Sequence, residues 1–188
     1  MFRNIPTVLC LAASITLGAV SAHAQINLVA DGDFAADTAY AAPSAPWTSS
    51  GGVFIDNTFT CCGATQDAAL PDGGLLSQAL STVAGQGYTL DFWAVDEAGD
   101  PGNTLTVNLG TFSATITGDE TLSGYTEFTY AVSGADILGG DTLSFAATNE
   151  DFVDWNIDDV SVVPEPSSMA LLLAGIAGLG GLRRRRGF

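Results

Sequence analysis

From residue 25 to residue 163 this chain has no lysine, no arginine and no histidine. All five basic residues of the 188-residue sequence, Arg3, Arg183, Arg184, Arg185 and Arg186, lie outside that segment, as does the one histidine, His23. Twenty of the 21 acidic residues lie inside it, the other being Glu165, so the segment has a formal charge of −20. These absences exclude whole classes of chemistry. Nucleic-acid binding depends on Lys and Arg contacts to phosphate, so no nucleic-acid partner is expected. Anionic cofactors and phosphoryl transfer lack a cationic clamp. Histidine triads, histidine metal sites and lysine Schiff bases have no residues to form from. Cysteine is scarce as well: Cys10 belongs to an N-terminal apolar run, which leaves the adjacent Cys61 and Cys62.

What the chain does have at its ends is addressing. Residues 1–24 read as a secretory signal peptide, with Arg3 in the n-region, an apolar stretch over residues 5–20 and an A-x-A cleavage site at Ala22-His23-Ala24. Signal peptidase is the partner expected there, leaving Gln25 first. The run is short for a bilayer span, which needs ~20 residues. At the other end, Pro164-Glu165-Pro166 is followed by an apolar, Gly-rich stretch over residues 169–182 and then by four arginines. Fourteen apolar residues make a brief anchor helix, and the arginines would be held on the cytoplasmic side.

This tail closely resembles the PEP-CTERM sorting signal of Gram-negative bacteria. Pro164, Glu165 and Pro166 match its motif, residues 169–182 its transmembrane helix, and Arg183, Arg184, Arg185 and Arg186 its basic cluster. The resemblance implies processing by exosortase, a membrane protease-transpeptidase. It also implies transient anchoring in the inner membrane, and then a place at the cell surface or outside the cell, in bacteria that make extracellular polysaccharide. The domain boundaries that follow are 1–24, 25–163 and 164–188.

The middle segment is punctuated by Gly, Thr, Ser, Asp and Asn every 8 to 12 residues, with short alternating runs between. Such runs occupy residues 26–30, 75–80, 88–95, 104–109, 112–116, 128–132, 143–147 and 155–163. No window keeps a helical period for three turns. The pattern predicts an all-β domain, a two-sheet antiparallel β-sandwich of jelly-roll type. In the last run Ile157, Val160 and Val162 cannot all point inward with a strict period of two, so a bulge is expected near Asp158 and Asp159. Residues 40–74 are the least regular and are expected to form long loops around one or two short strands, where binding sites tend to lie.

Three stretches also resemble galactose-binding-like and related carbohydrate-binding jelly rolls. They are the opening Asn27-Leu28-Val29-Ala30-Asp31-Gly32-Asp33-Phe34, the middle Ala84-Gly85-Gln86-Gly87-Tyr88-Thr89-Leu90-Asp91-Phe92-Trp93-Ala94 and the closing Trp155-Asn156-Ile157-Asp158-Asp159-Val160-Ser161-Val162. The resemblance implies a calcium ion where the first and last strands meet. Its expected ligands are Asp31 and Asp33 from the opening motif and Asp158 or Asp159 from the closing one. The family's glutamate after the phenylalanine is Ala35 here. A second acidic group, Asp96, Glu97, Asp100 and Asn103, lacks EF-hand spacing and reads as a solvated hairpin loop.

Among the aromatic residues Trp47, in the irregular stretch, is the first candidate for stacking on a sugar, ahead of Trp93, Trp155, Tyr40 and Phe59. Cys61 and Cys62 are a candidate vicinal disulfide. Their Cα atoms lie ~3.8 Å apart, under the usual ~4.4–6.8 Å, so such a bond needs a tight turn. Pairing between molecules and two free thiols are the alternatives. No motif places catalytic roles, so the domain is not expected to be an enzyme. The reading that results is an exported, exosortase-processed module that binds extracellular polysaccharide with calcium assistance. A structural envelope or matrix protein is the alternative, and a carboxylate-dependent glycoside hydrolase comes third.

Overall fold

The computed structural model describes residues 26–58, 61, 65–118, 124–149 and 154–166. The leader with Ala22 and Ala24, the apolar tail and Arg183, Arg184, Arg185 and Arg186 lie outside the described residues, as do Phe59 and Cys62. Among the described residues no helix is long and apolar enough to cross a membrane.

Among the described residues ten strands form in chain order: β1 Thr48–Ser50, β2 Phe54–Asp56, β3 Asp67–Leu70, β4 Leu75–Ala79, β5 Tyr88–Asp96, β6 Thr104–Leu109, β7 Phe112–Thr117, β8 Thr126–Val132, β9 Thr142–Thr148 and β10 Trp155–Pro164. They build two five-stranded antiparallel sheets, β1-β4-β9-β6-β7 and β2-β3-β10-β5-β8. Alternation decides which side chains enter the core, because successive residues of a strand point to opposite faces. Leu105, Val107 and Leu109 of β6 and Leu143, Phe145 and Ala147 of β9 face Tyr88, Leu90, Phe92 and Ala94 of β5. Phe92 meets Phe145 edge-on with ring centroids 5.0 Å apart, which fixes the facing of both sheets.

The expected bulge is present. The register of β10 against β5 shifts between Asp158 and Ser161, with Asp159 in the left-handed region at φ 48°. The extra residue lets Ile157, Val160 and Val162 all be buried. The opening motif lies against this bulge. The Val160 N–H donates to the Gly32 carbonyl at 2.9 Å, and a Cβ on Gly32 would fall 2.1 Å from the Val160 carbonyl oxygen.

Other expectations need correction. Residues 26–30 are not a strand. One main-chain bond, Leu28 N–H to the Val162 carbonyl, joins them to β10. Side chains supply the other rungs: Asn27 Oδ1 accepts from Val29 and Val162, and the buried Gln78 amide bonds both the N–H and the carbonyl of Ala30. Residues 40–74 contain three strands, not one or two. Asp67–Leu70 escapes the alternation test because all four of its residues are buried. Proline has no N–H and is expected to end regular structure, yet Pro164 is the last residue of β10.

The loop at Asp96 is solvated only in part, with Glu97 exposed. Asp96 and Asn103 are buried, and the Asp96 carboxylate accepts from Ala98 N–H, Asp100 N–H and Asn103 Nδ2. Asp141 does the same elsewhere. It accepts from Thr82 Oγ1 at 2.6 Å and from the Leu138 and Gly139 N–H groups, joining the loop before β5 to the loop before β9. Burial pushes its carboxyl up, but these donors outweigh burial and hold it below the ordinary range. Replacing Asp141 with Ala strands all of these donors and should cost about 2–4 kcal/mol, read as a lower midpoint in urea unfolding with an unchanged slope.

Candidate functional site

Strand pairing puts one row of side chains on the outer face of the second sheet. Asp158 of β10 is level with Trp93 of β5, and Trp93 with Glu127 of β8. Phe92 points into the core, so Trp93 points out. In the other direction Ile157 pairs with Ala68, which brings Asp67 level with Asp158, and Asp67 pairs with Asp56 of β2. The row across the face therefore reads Asp56, Asp67, Asp158, Trp93, Glu127.

This row has a dry end and a wet end. Asp67 and Asp158 are fully buried, and each keeps one carboxylate oxygen, Asp67 Oδ1 and Asp158 Oδ2, without a hydrogen bond. Tyr125 donates its hydroxyl to Asp67 Oδ2, and the Asp159 N–H donates to Asp158 Oδ1 at 2.7 Å. Asn156, on the same face, donates from Nδ2 to Glu97 Oε1 at 2.7 Å and leaves its own Oδ1 unpaired. Desolvation pushes the Asp67 carboxyl up to about 7. The Tyr125 hydrogen bond opposes this, and the charges of Asp56, Asp158 and Glu97 add to it. Asp158 is likewise raised to about 7 by burial, against the Asp159 N–H, with Asp159 and Asp33 adding to the rise. Burial also raises Glu97 and Asp154. At the wet end Trp93 is half-buried, and around it lie Asp91, Thr89 and Ser161, partly exposed, with Glu127 and Thr129 exposed.

The calcium candidates are only partly brought together. Asp33 and Asp158 lie within electrostatic range of each other, as do Asp31 and Asp33. Asp31 Oδ1 accepts from the Ala36 N–H and Asp33 Oδ1 from the Ala35 N–H, while Asp159 is exposed. Among the described residues no three Asp, Glu, His or Cys side chains gather closely enough to hold a metal ion. Trp47 is not a platform. It is 3 % exposed, packs on Phe34 with centroids 5.5 Å apart, and donates from Nε1 to the Asp31 carbonyl at 2.9 Å. An indole whose faces and N–H are all occupied has nothing to offer a sugar. Trp155 is fully buried, whereas Tyr40 is exposed and donates to Asn57 Oδ1. Cys61 is buried and disulfide-bonded, and its neighbour Cys62 lies outside the described residues.

Residues 162–186 match the PEP-CTERM protein-sorting motif. The chain carries that sorting motif. No curated protein matches it significantly in sequence. Among solved structures, the carbohydrate-binding module TmCBM61, determined with β-1,4-galactotriose, is similar at 16% identity and a TM-score of 0.56, over 74% of this chain and 99% of that one. The K2 cleaved adhesin domain of Lys-gingipain is similar at 15% identity and a TM-score of 0.55, over 74% and 99%. The CBM22-1 xylan-binding domain from Paenibacillus barcinonensis is similar at 13% identity and a TM-score of 0.50, over 77% and 97%. The fold thus resembles the jelly roll of these carbohydrate-binding modules.

The buried acids make stability depend on pH. An unfolded Asp ionises near 4, and folded Asp67 and Asp158 near 7. Folding therefore favours their protonated forms. Their contribution is complete below about pH 4 and is lost as the pH rises through about 7. With chelator present, the melting midpoint should fall between pH 5 and pH 8, and Asp67→Asn should flatten that fall.

Proposed function

We propose that this is an exported protein, freed of its leader by signal peptidase and of its tail by exosortase, whose non-catalytic β-sandwich binds extracellular polysaccharide around Trp93. The observation that carries the reading is the outer face of the second sheet. There a half-exposed indole stands between Asp91 and Glu127, with the hydroxyls of Thr89, Thr129 and Ser161 nearby. An indole face covers the apolar face of a pyranose ring, and carboxylates and hydroxyls accept and donate bonds to its hydroxyl groups. A domain with twenty acids and no cation repels anionic chains, so the ligand is a neutral glycan. Likeness in fold to modules solved as carbohydrate binders supports the same reading. The PEP-CTERM tail supports a surface or extracellular location, reached through a transient inner-membrane anchor.

Calcium is the proposed aid to folding. Asp158, with its orphaned Oδ2, and the neighbouring Asp33 are the residues that would hold it, with Asp31 and Asp159 beside them. Carbonyl and water oxygens would have to complete the six or more that calcium takes. When bound, the ion would supply the positive charge that the segment lacks.

The burial of Trp47 and Trp155 favours a second reading, a structural envelope or matrix protein with no sugar site. Affinity separation of residues 25–166 on immobilised neutral and anionic polysaccharides decides between the two. Retention on a neutral class, weakened about tenfold or more by Trp93→Ala, the scale for truncating an aromatic anchor, supports the binding module. A folded domain retained on nothing supports the structural protein. In the same preparation millimolar calcium should raise the melting midpoint over chelator, and Asp158→Asn should remove the difference. An unchanged wild-type midpoint would eliminate the ion.

A further inference from the structure

The sorting motif begins inside the folded domain. Pro164 closes β10 opposite Tyr88, the first residue of β5. Glu165 lies beyond the strand yet stays tied to it. Its N–H donates to the Gly87 carbonyl at 2.9 Å, and its carbonyl accepts from Gln86 Nε2 at 3.0 Å. Gln86 Nε2 also donates to the Gly87 carbonyl at 2.9 Å, so one carboxamide bonds both chain segments. The Glu165 side chain lies over Gly87: a Cβ there would be 2.8 Å from Glu165 Oε2 and 3.1 Å from its Cδ, atoms at the free end of that side chain that can swing aside. The Glu165 side chain and Pro166 remain exposed.

Proline has no N–H, so Pro164-Glu165-Pro166 has a single main-chain donor, that of Glu165. The domain already holds it. An enzyme that reads an extended peptide does so largely through main-chain hydrogen bonds, as in strand addition. The same N–H and carbonyl cannot serve Gly87, Gln86 and an enzyme together.

We propose that the domain clamps its own sorting motif: Gln86 and Gly87 hold Glu165 against the second sheet, and the processing enzyme reaches the motif's main chain only after Pro164 and Glu165 peel away. The inference rests on the exosortase reading and adds its regulation. Formation of β10 and processing of the tail compete for the same atoms, so a fully folded domain is a slower substrate than one whose last strand has opened.

The test uses the full chain, produced with an exosortase in an exporting Gram-negative host, with the precursor followed by pulse-chase. Gln86→Ala removes one clamp bond at a half-exposed turn. It should shorten the precursor half-life by about two- to tenfold, the effect of one hydrogen bond on the undocked population. Gly87→Ala, which only swings aside the exposed Glu165 side chain and leaves the clamp's main-chain bonds in place, is the control and should process like wild type. Unchanged or slower processing in Gln86→Ala overturns the clamp, since it would mean that the enzyme reads the docked motif. A wild-type chain that keeps its tail overturns the exosortase reading and with it the competition. Amide hydrogen exchange of the same chain then decides the docking: a Glu165 N–H protected in wild type and exposed in Gln86→Ala upholds it, and an unprotected wild-type amide refutes it.

Discussion

The structure is governed by the need to bury carboxylates without a single cation in the domain. Burial of a charge is costly unless it is paired or strongly hydrogen-bonded. With Lys, Arg and His absent from residues 25–163, only main-chain N–H groups, amides, hydroxyls and protons are left to do this. Asp96 and Asp141 take the first route and become loop organisers, each surrounded by donors. Asp67 and Asp158 have too few donors, and their carboxyls move toward neutrality instead. The loops that frame the sandwich and the dry end of its outer face are two outcomes of one restriction.

That restriction also divides the molecule by face. Between the sheets lies an apolar interior built from alternate residues, and two of the three tryptophans are sunk into it. On the outer face of the second sheet, a single row passes from buried acids through a half-covered indole to an exposed glutamate. The transition takes place within three neighbouring strands, so the polar groups about Trp93 are carried by rigid backbone rather than by loops. Sites on strands hold geometry better than sites on loops.

Much of this was legible in the sequence, because a period of two is written into β5, β6, β8 and β9 and a broken period into β10. The matching opening and closing motifs do meet, at Gly32 and Val160. Illegible were the elements whose partners are distant. Asp67–Leu70 is buried on both faces, and residues 26–30 replace strand rungs with the side chains of Asn27 and Gln78, which no local pattern reveals. The site was misplaced for a similar reason. Irregular sequence around Trp47 suggested exposure, yet Phe34 and the Asp31 carbonyl enclose that ring. Trp93, ranked behind Trp47, could have been placed first by its parity with Phe92, which puts it on the outer face. The acids at 96 and 141 were unreadable, since composition cannot distinguish a solvated carboxylate from one that collects loop amides.

The order of the strands has a mechanical consequence. On the proposed reading, a tether at the C-terminus would pull on Pro164, and a polymer held at Trp93 would pull on β5. These strands are immediate neighbours and antiparallel, paired from Asp158–Trp93 to Pro164–Tyr88 with the bulge's register shift between Asp158 and Ser161. Tension between anchor and cargo would therefore cross one ladder, along the strand direction. Its hydrogen bonds stand perpendicular to that direction, so they bear the load together in shear and need not open one after another. The rest of the sandwich lies outside this load path.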